Sequence, residues 1–136
     1  MIVIDSNVLI STIIGVRASD QFERILRGGA EVAVPTAQAA EVRQVLVTKF
    51  NFSPDYADAL VNKITDRVRL LEPASYQTAE GQARARLHDR AQPDWPVLAA
   101  AIVFDAAIWS NDRDFFGVGV PVWSTRNIVL AAPGAL

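Results

Sequence analysis

Met1-Ile2-Val3-Ile4 is a short apolar run that stops abruptly at the polar turn Asp5-Ser6-Asn7, and residues 7–14 are mostly apolar again. A run too short for a helix, followed at once by a longer one, predicts a buried strand and then a helix that closes near Gly15. Ser19 predicts the cap of a second helix through Leu26, stopped by Gly28-Gly29. Residues 31–34 read as a short strand closed by Pro35. Thr36 then predicts the cap of a helix to about Phe50, with Ala39, Val42, Leu46 and Phe50 on one stripe. Ser53-Pro54-Asp55 combines a cap, a first-position proline and a first-turn acid, and opens a helix to about Asp66. Residues 68–71 form a predicted strand ended by Glu72-Pro73, and residues 78–90 a polar, Ala/Arg-rich helix. Asp94 predicts the cap of a helix over 95–105, with Pro96 tolerated in its first turn. Residues 106–109 are a second buried strand and 120–123 a last short one, while the tail from Asn127 is apolar without a clear period.

Strands alternating with helices along the whole chain predict an α/β protein, with a parallel sheet covered by helices on both faces. No repeat, low-complexity segment or linker interrupts the pattern, so one domain over 1–136 is expected. A hydrophobic share of 51% against 21% charged residues excludes a disordered chain. The mean hydropathy of +0.19 is high for a soluble monomer and points to an apolar surface used for self-association or a partner.

Charge and residue usage narrow the chemistry. The net charge of -2 gives no global basic field, so a nucleic-acid substrate would depend on local arginines and bound cations. The absence of cysteine excludes disulfides, thiolate zinc sites and a cysteine nucleophile. His88 is the only histidine. No apolar run is long enough to cross a bilayer, and no basic segment precedes the first strand, so a cytoplasmic protein without a signal peptide is expected.

The acids are the candidate chemistry. Asp5 ends the first strand, and the strand at 106–109 runs into Ser110-Asn111-Asp112-Arg113-Asp114. Asp94 precedes a helix, and Glu41 shares a helix face with Gln44 and Thr48, opposite the apolar stripe. Each has a structural alternative: helix caps for Asp5 and Asp94, a solvated face for Glu41, turn residues for Asp112 and Asp114. Together they say more. Asp5, Asp94 and Asp112 fall at strand ends or helix starts, along the one sheet edge where open α/β folds bind ligands. An all-oxygen set suits Mg²⁺ or Mn²⁺, ions that activate water and neutralise a phosphate. Arg113, between two acids, is a candidate phosphate contact. His88 and the arginines Arg84, Arg86 and Arg90 read as a solvated face, and Trp95, Trp109 and Trp123 as core or interface residues.

The segment Ile2-Val3-Ile4-Asp5-Ser6-Asn7-Val8-Leu9-Ile10, Glu41 in the third helix, the segment Pro93-Asp94-Trp95-Pro96-Val97-Leu98, and the segment Ile108-Trp109-Ser110-Asn111-Asp112-Arg113-Asp114-Phe115-Phe116 resemble the PIN-domain nucleases. That family includes the toxins of VapBC-type toxin–antitoxin pairs. The resemblance spans roughly residues 1–125, in order and spacing. It implies a three-layer α/β/α sandwich with a central, mostly parallel sheet, and metal-dependent cleavage of RNA phosphodiesters. Asp5, Glu41, Asp94 and Asp112 match the family's acidic quartet. Asp114 matches a further supporting acid, and Asn7 and Ser110 match polar positions that brace the carboxylates. Members often carry an extra aspartate just before the position of Asp94, where this chain has Ala91, Gln92 and Pro93. The aromatic-rich stretch 115–123 is similar to a subgroup outside the best-known toxins.

The expectation is therefore a Mg²⁺/Mn²⁺-dependent endoribonuclease, with cations held by Asp5, Asp94 and Asp112 and with Glu41 close by. It would act as the toxin of a pair with an antitoxin protein, or as an RNA-processing enzyme, and would assemble as a homodimer or larger. A non-catalytic PIN-like module that binds RNA or protein is the alternative. Acid-using phosphatases and receiver domains fit less well: Asn7 stands where the former have a second aspartate, and the acidic pair and late lysine of the latter are missing.

Overall fold

In the computed structural model, which describes residues 1–135, the opening apolar run forms β1 (Ile2–Ile4), and all of it is buried. Four more short strands follow: β2 (Val32–Pro35), β3 (Arg69–Leu71), β4 (Ala107–Trp109) and β5 (Val122–Trp123). They pair in parallel in the order β3-β2-β1-β4-β5. The helices between them are α1 (Ser6–Ile14), α2 (Val16–Arg27), α3 (Thr36–Thr48), α4 (Pro54–Thr65), α5 (Glu80–Arg86) and α6 (Trp95–Phe104).

The alternation of β1 divides the interior into two. Ile2 and Ile4 pack with Val8, Phe22, Val42, Leu46 and Val61 from α1–α4. Val3 points the other way, into Ala83, Leu98, Ala99 and Phe115 on the side of α5 and α6. A central parallel strand covered on both faces must be apolar throughout, which is why Met1-Ile2-Val3-Ile4 carries no polar residue. The result is the three-layer α/β/α sandwich. The three tryptophans pack against these two cores, Trp109 fully buried and Trp95 and Trp123 partly so.

Several boundaries differ from those expected. α2 begins at Val16, so Ser19 lies inside it, and Gly15 opens the helix without a side-chain cap. Thr36 is the first residue of α3, not its cap; Pro35 holds the cap position and bonds nothing there. α3 stops at Thr48, and Phe50 is left exposed beside Asn51, whose φ of 56° turns the chain. Ser53 does cap α4, its hydroxyl accepting from the Tyr56 N–H at 3.2 Å. The expected helix over 78–90 shrinks to α5, preceded by a 3₁₀ turn at Gln77–Ala79. Its end is set by Leu87, which turns extended to bury its side chain, and burial outweighs the modest helix propensity of the polar residues after it. β5 is only two residues long because Gly119 takes a φ of 88° and Pro121 has no N–H to give. The apolar tail forms 3₁₀ turns at Ile128–Ala131 and Pro133–Ala135. They lie so near the end of α2 that a Cβ at Gly28 would stand 2.5 Å from the backbone nitrogen of Ala135.

Candidate active site

The strand order reverses at β1. β2 and β3 extend the sheet to one side and β4 and β5 to the other. At the carboxyl end of such a switch the two chains leaving β1 and β4 diverge and open a crevice. Asp5 leaves β1 there, and Ser110-Asn111-Asp112 leaves β4, paired with it residue for residue up to Ile4 and Trp109. The Asp5 N–H continues the ladder to the Trp109 carbonyl at 3.1 Å.

Asp5 is buried but well bonded. Its Oδ2 accepts from the Ser110 hydroxyl at 2.6 Å, and its Oδ1 from the Asn7 N–H and the Ser6 hydroxyl, each at 3.4 Å. Asp5 therefore caps α1 and bonds across to the end of β4 at once, so the cap does not exclude a second role for it. Burial raises its pKa, the bonds from Ser110, Asn7 and Ser6 oppose that, and the nearby charge of Asp112 adds to it. Ser110 is also an acceptor, for the Asp112 N–H at 3.0 Å, so one buried hydroxyl ties the acids of both strand ends. The Asp112 Oδ1 in turn accepts from the Asp114 N–H at 2.9 Å.

Glu41 comes from α3, which starts at the end of β2. The Ser6 hydroxyl lies 3.2 Å from its Oε2, so this serine stands between Asp5 and Glu41. Asp94 sits at the start of α6, the helix that runs back beneath the sheet to β4. Its side chain makes no capping bond, contrary to the sequence expectation. Pro96 lacks one N–H of the first turn, and the preceding 3₁₀ turn, Asp89–Asp94, leaves Asp94 at φ -88° and ψ 6° instead of in the extended cap conformation. The carboxyl is left with unfavourable surroundings: its pKa is pushed up to about 7, first by burial and then by Asp5, Glu41, Asp112 and Asp114. The four other acids named from the sequence all act on Asp94.

The rim differs in detail. Arg90 donates to Asp114 at 2.6 and 2.9 Å, and this pair together with His88 holds the Asp114 carboxyl below the usual carboxylate range. Arg90 and His88, read from sequence as a solvated face, stand at the edge of the acids. Arg113 is exposed, and its side chain has no ion pair or hydrogen bond among the described residues. Asn7 contributes its backbone N–H, while the residue itself is exposed. Sequence reasoning missed Ser6, although a hydroxyl directly after a strand-end aspartate is itself a signal. It also missed Thr125, whose hydroxyl accepts from Trp109 Nε1 and Asn111 Nδ2, both at 3.1 Å. Thr125 lies 16 residues beyond Trp109, on the far side of β5, and no local pattern marks it.

The donor set suits a hard divalent cation: oxygens only, crowded like charge, partial burial. Among the described residues no three histidine or acidic side chains are grouped to hold an ion together. The fit is to an ion that keeps much of its water and takes one or two carboxylates directly, as Mg²⁺ does, and not to a closed cage. A cavity of about 780 Å³ lies at the opposite, amino edge of the sheet, lined by Met1, Glu31, Ala107 and Pro121, and none of these acids reaches it.

The fold and this crevice define a class: an α/β/α sandwich with a carboxylate-rich switch point. The chain belongs to the PIN-domain family, whose profile, a PIN domain, matches residues 3–132. No curated protein matches the sequence. Among solved structures, VapBC from Salmonella typhimurium, bound to DNA, is similar at 18% identity, over 91% of this chain and 97% of that one, with a TM-score of 0.73. VapBC2 from Rickettsia felis, bound to a DNA fragment from its promoter, is similar at 15% identity, over 91% and 98%, with a TM-score of 0.71. A toxin–antitoxin complex from Klebsiella pneumoniae is similar at 19% identity, over 92% and 98%, with a TM-score of 0.66. At such identities the likeness is one of fold.

Proposed function

We propose that this protein is a metal-dependent endoribonuclease. One observation carries the reading: Asp94, already raised by burial, is pushed up to about 7 with the added charge of four other acids, Asp5, Glu41, Asp112 and Asp114. Gathering like charge costs stability, and a purely structural site has no use for it. Asp5, Asp94 and Asp112 would hold Mg²⁺ or Mn²⁺ between them, one or two directly and the rest through the ion's own water, with Glu41 beside them. Such an ion supplies positive charge for the phosphate and lowers the pKa of a water.

The chain's own residues do the rest. Ser110 fixes Asp5 against Asp112, so the two strand-end carboxylates keep their spacing. Ser6 holds Glu41 toward Asp5, where Glu41 can accept a proton from an attacking water. Arg90 draws Asp114 aside and offsets one negative charge at the rim, and Arg113 is free to meet a substrate phosphate. No covalent enzyme intermediate is needed, in keeping with a chain that lacks cysteine.

The toxin–antitoxin complexes among the fold's relatives support a toxin role, with an antitoxin protein as partner and RNA in the cytoplasm as target. The non-catalytic alternative is disfavoured by the same crowding, since an RNA-binding surface would not assemble carboxylates against phosphate. Cleavage of single-stranded RNA that requires Mn²⁺ or Mg²⁺ and stops in EDTA is the expected result. Cleavage that persists in EDTA would overturn the metal-dependent reading.

A further inference from the structure

Beside the acids, on the far side of the turn that follows β4, lies a second surface cavity of about 460 Å³. Its lining includes Ser11 on α1, Arg17 in the first turn of α2, Asn111, and Ser124 and Arg126 after β5. The cavity and the acid crevice share a wall. Asn111 lines the cavity and Asp112 belongs to the crevice, and consecutive Cα atoms are about 3.8 Å apart.

The wall is built, not loose. Asn111 Oδ1 accepts the Thr125 N–H at 2.8 Å while its Nδ2 donates to the buried Thr125 hydroxyl. Ser124 donates both its N–H and its hydroxyl to Asn127 Oδ1 at 3.0 Å. The segment carrying Arg126 is thereby latched to the segment carrying Asp112.

The two arginines are unlike most of the others. Arg43, Arg67, Arg69, Arg84 and Arg90 are engaged in ion pairs with acids, and Arg86 donates to the Val118 carbonyl. Arg17 and Arg126 are exposed and have no such partner among the described residues, even though Asp20 follows Arg17 by one helical turn. Two unneutralised guanidinium groups, with hydroxyls and an amide around the same hollow, match the oxygens of a phosphodiester, which arginine contacts in two places at once. A chain of net charge -2 with an acidic crevice needs positive charge of this kind to hold a polyanion.

We propose that this cavity is a phosphate subsite for single-stranded RNA, in which Arg17 and Arg126 hold a backbone phosphate flanking the one presented to the acids. The proposal rests on the ribonuclease reading for its substrate class. The strand then runs over Asn111, and its register relative to Asp5 and Asp112 is fixed by the latched turn.

The test is fluorescence anisotropy of a short labelled single-stranded RNA in EDTA, so that binding is read without cleavage. Arg17→Gln/Arg126→Gln should weaken binding about tenfold. Its plot of log Kd against log salt should flatten by about 0.7 for each RNA phosphate that the variant no longer neutralises. Lys49→Gln/Lys63→Gln removes the same charge elsewhere and should bind like wild type. Equal weakening in the two double variants would mean diffuse charge attraction and would overturn the subsite, as would wild-type protein that does not bind RNA at all. Failure of the subsite is separable from failure of the nuclease reading. Wild type that cleaves with Mn²⁺ while binding ignores the two arginines removes only the former, and arginine-dependent binding without metal-dependent cleavage removes only the latter.

Discussion

Asp94 is where structure and sequence differ most usefully. The sequence offered it two jobs, helix cap and site acid, and the structure removes the first, because the carboxyl bonds to no first-turn N–H. Its folded pKa of about 7 lies well above the ordinary 3.8. Between those values the folded protein binds a proton that the unfolded chain does not. The stabilising contribution is complete below the ordinary value and is lost as pH rises through about 7. After allowance for solvent around this half-buried group, the loss is roughly 2–4 kcal/mol. Asp94→Asn should therefore melt higher than wild type in EDTA at pH above 7, and the gap should close as pH falls toward 4. Added Mn²⁺ should raise the melting temperature of wild type more than that of the variant. Thermal melts across pH read both effects, and a variant that melts lower than wild type in EDTA at every pH would contradict the crowded-acid account. At this scale Asp5 and Asp112 were legible because each ends an apolar strand run. The Ser6–Glu41 contact was not, since it joins residues 35 apart that only the packing of α1 on α3 brings together.

Elements were legible where local chemistry and burial agree. β1, β4 and α4 fall where their runs and the Ser53-Pro54-Asp55 start place them. α2, α5 and β5 moved because tertiary demands decided their ends: the turn at Gly15, the burial of Leu87, and the missing N–H of Pro121. The turn after β4 shows how the elements hold the site. Thr125, itself buried, accepts from the fully buried Trp109 indole and from Asn111, and so clamps β4 to the segment after β5. Thr125→Val keeps the shape and removes the acceptor, stranding a buried indole N–H. That should cost about 1–3 kcal/mol. Urea unfolding should show a lower midpoint with an unchanged slope. An unchanged midpoint would mean that water replaces the hydroxyl and that the clamp is not what positions the turn.

For the whole molecule, the alternation of short strands with helices was enough to set the class, and the pairing of β1 with β4 explains why Asp5 and Asp112, near opposite ends of the sequence, act on one another. Surface behaviour was less legible, because hydropathy reports how much apolar residue there is and not where it lies. Ile14, Val16, Phe116 and Leu130 are among the large apolar side chains left exposed. The expected consequence is a homodimer or larger assembly when no partner is present, and light scattering at micromolar concentration checks it; a monomer throughout would contradict it. If the crowded acids are catalytic machinery and not a structural accident, RNA cleavage must depend on Asp94, and the rate of cleavage by Asp94→Asn decides it. With Mn²⁺ present and melts showing the variant folded, the account predicts a loss of at least about a hundredfold relative to wild type. A folded Asp94→Asn that cleaves RNA at the wild-type rate would contradict it.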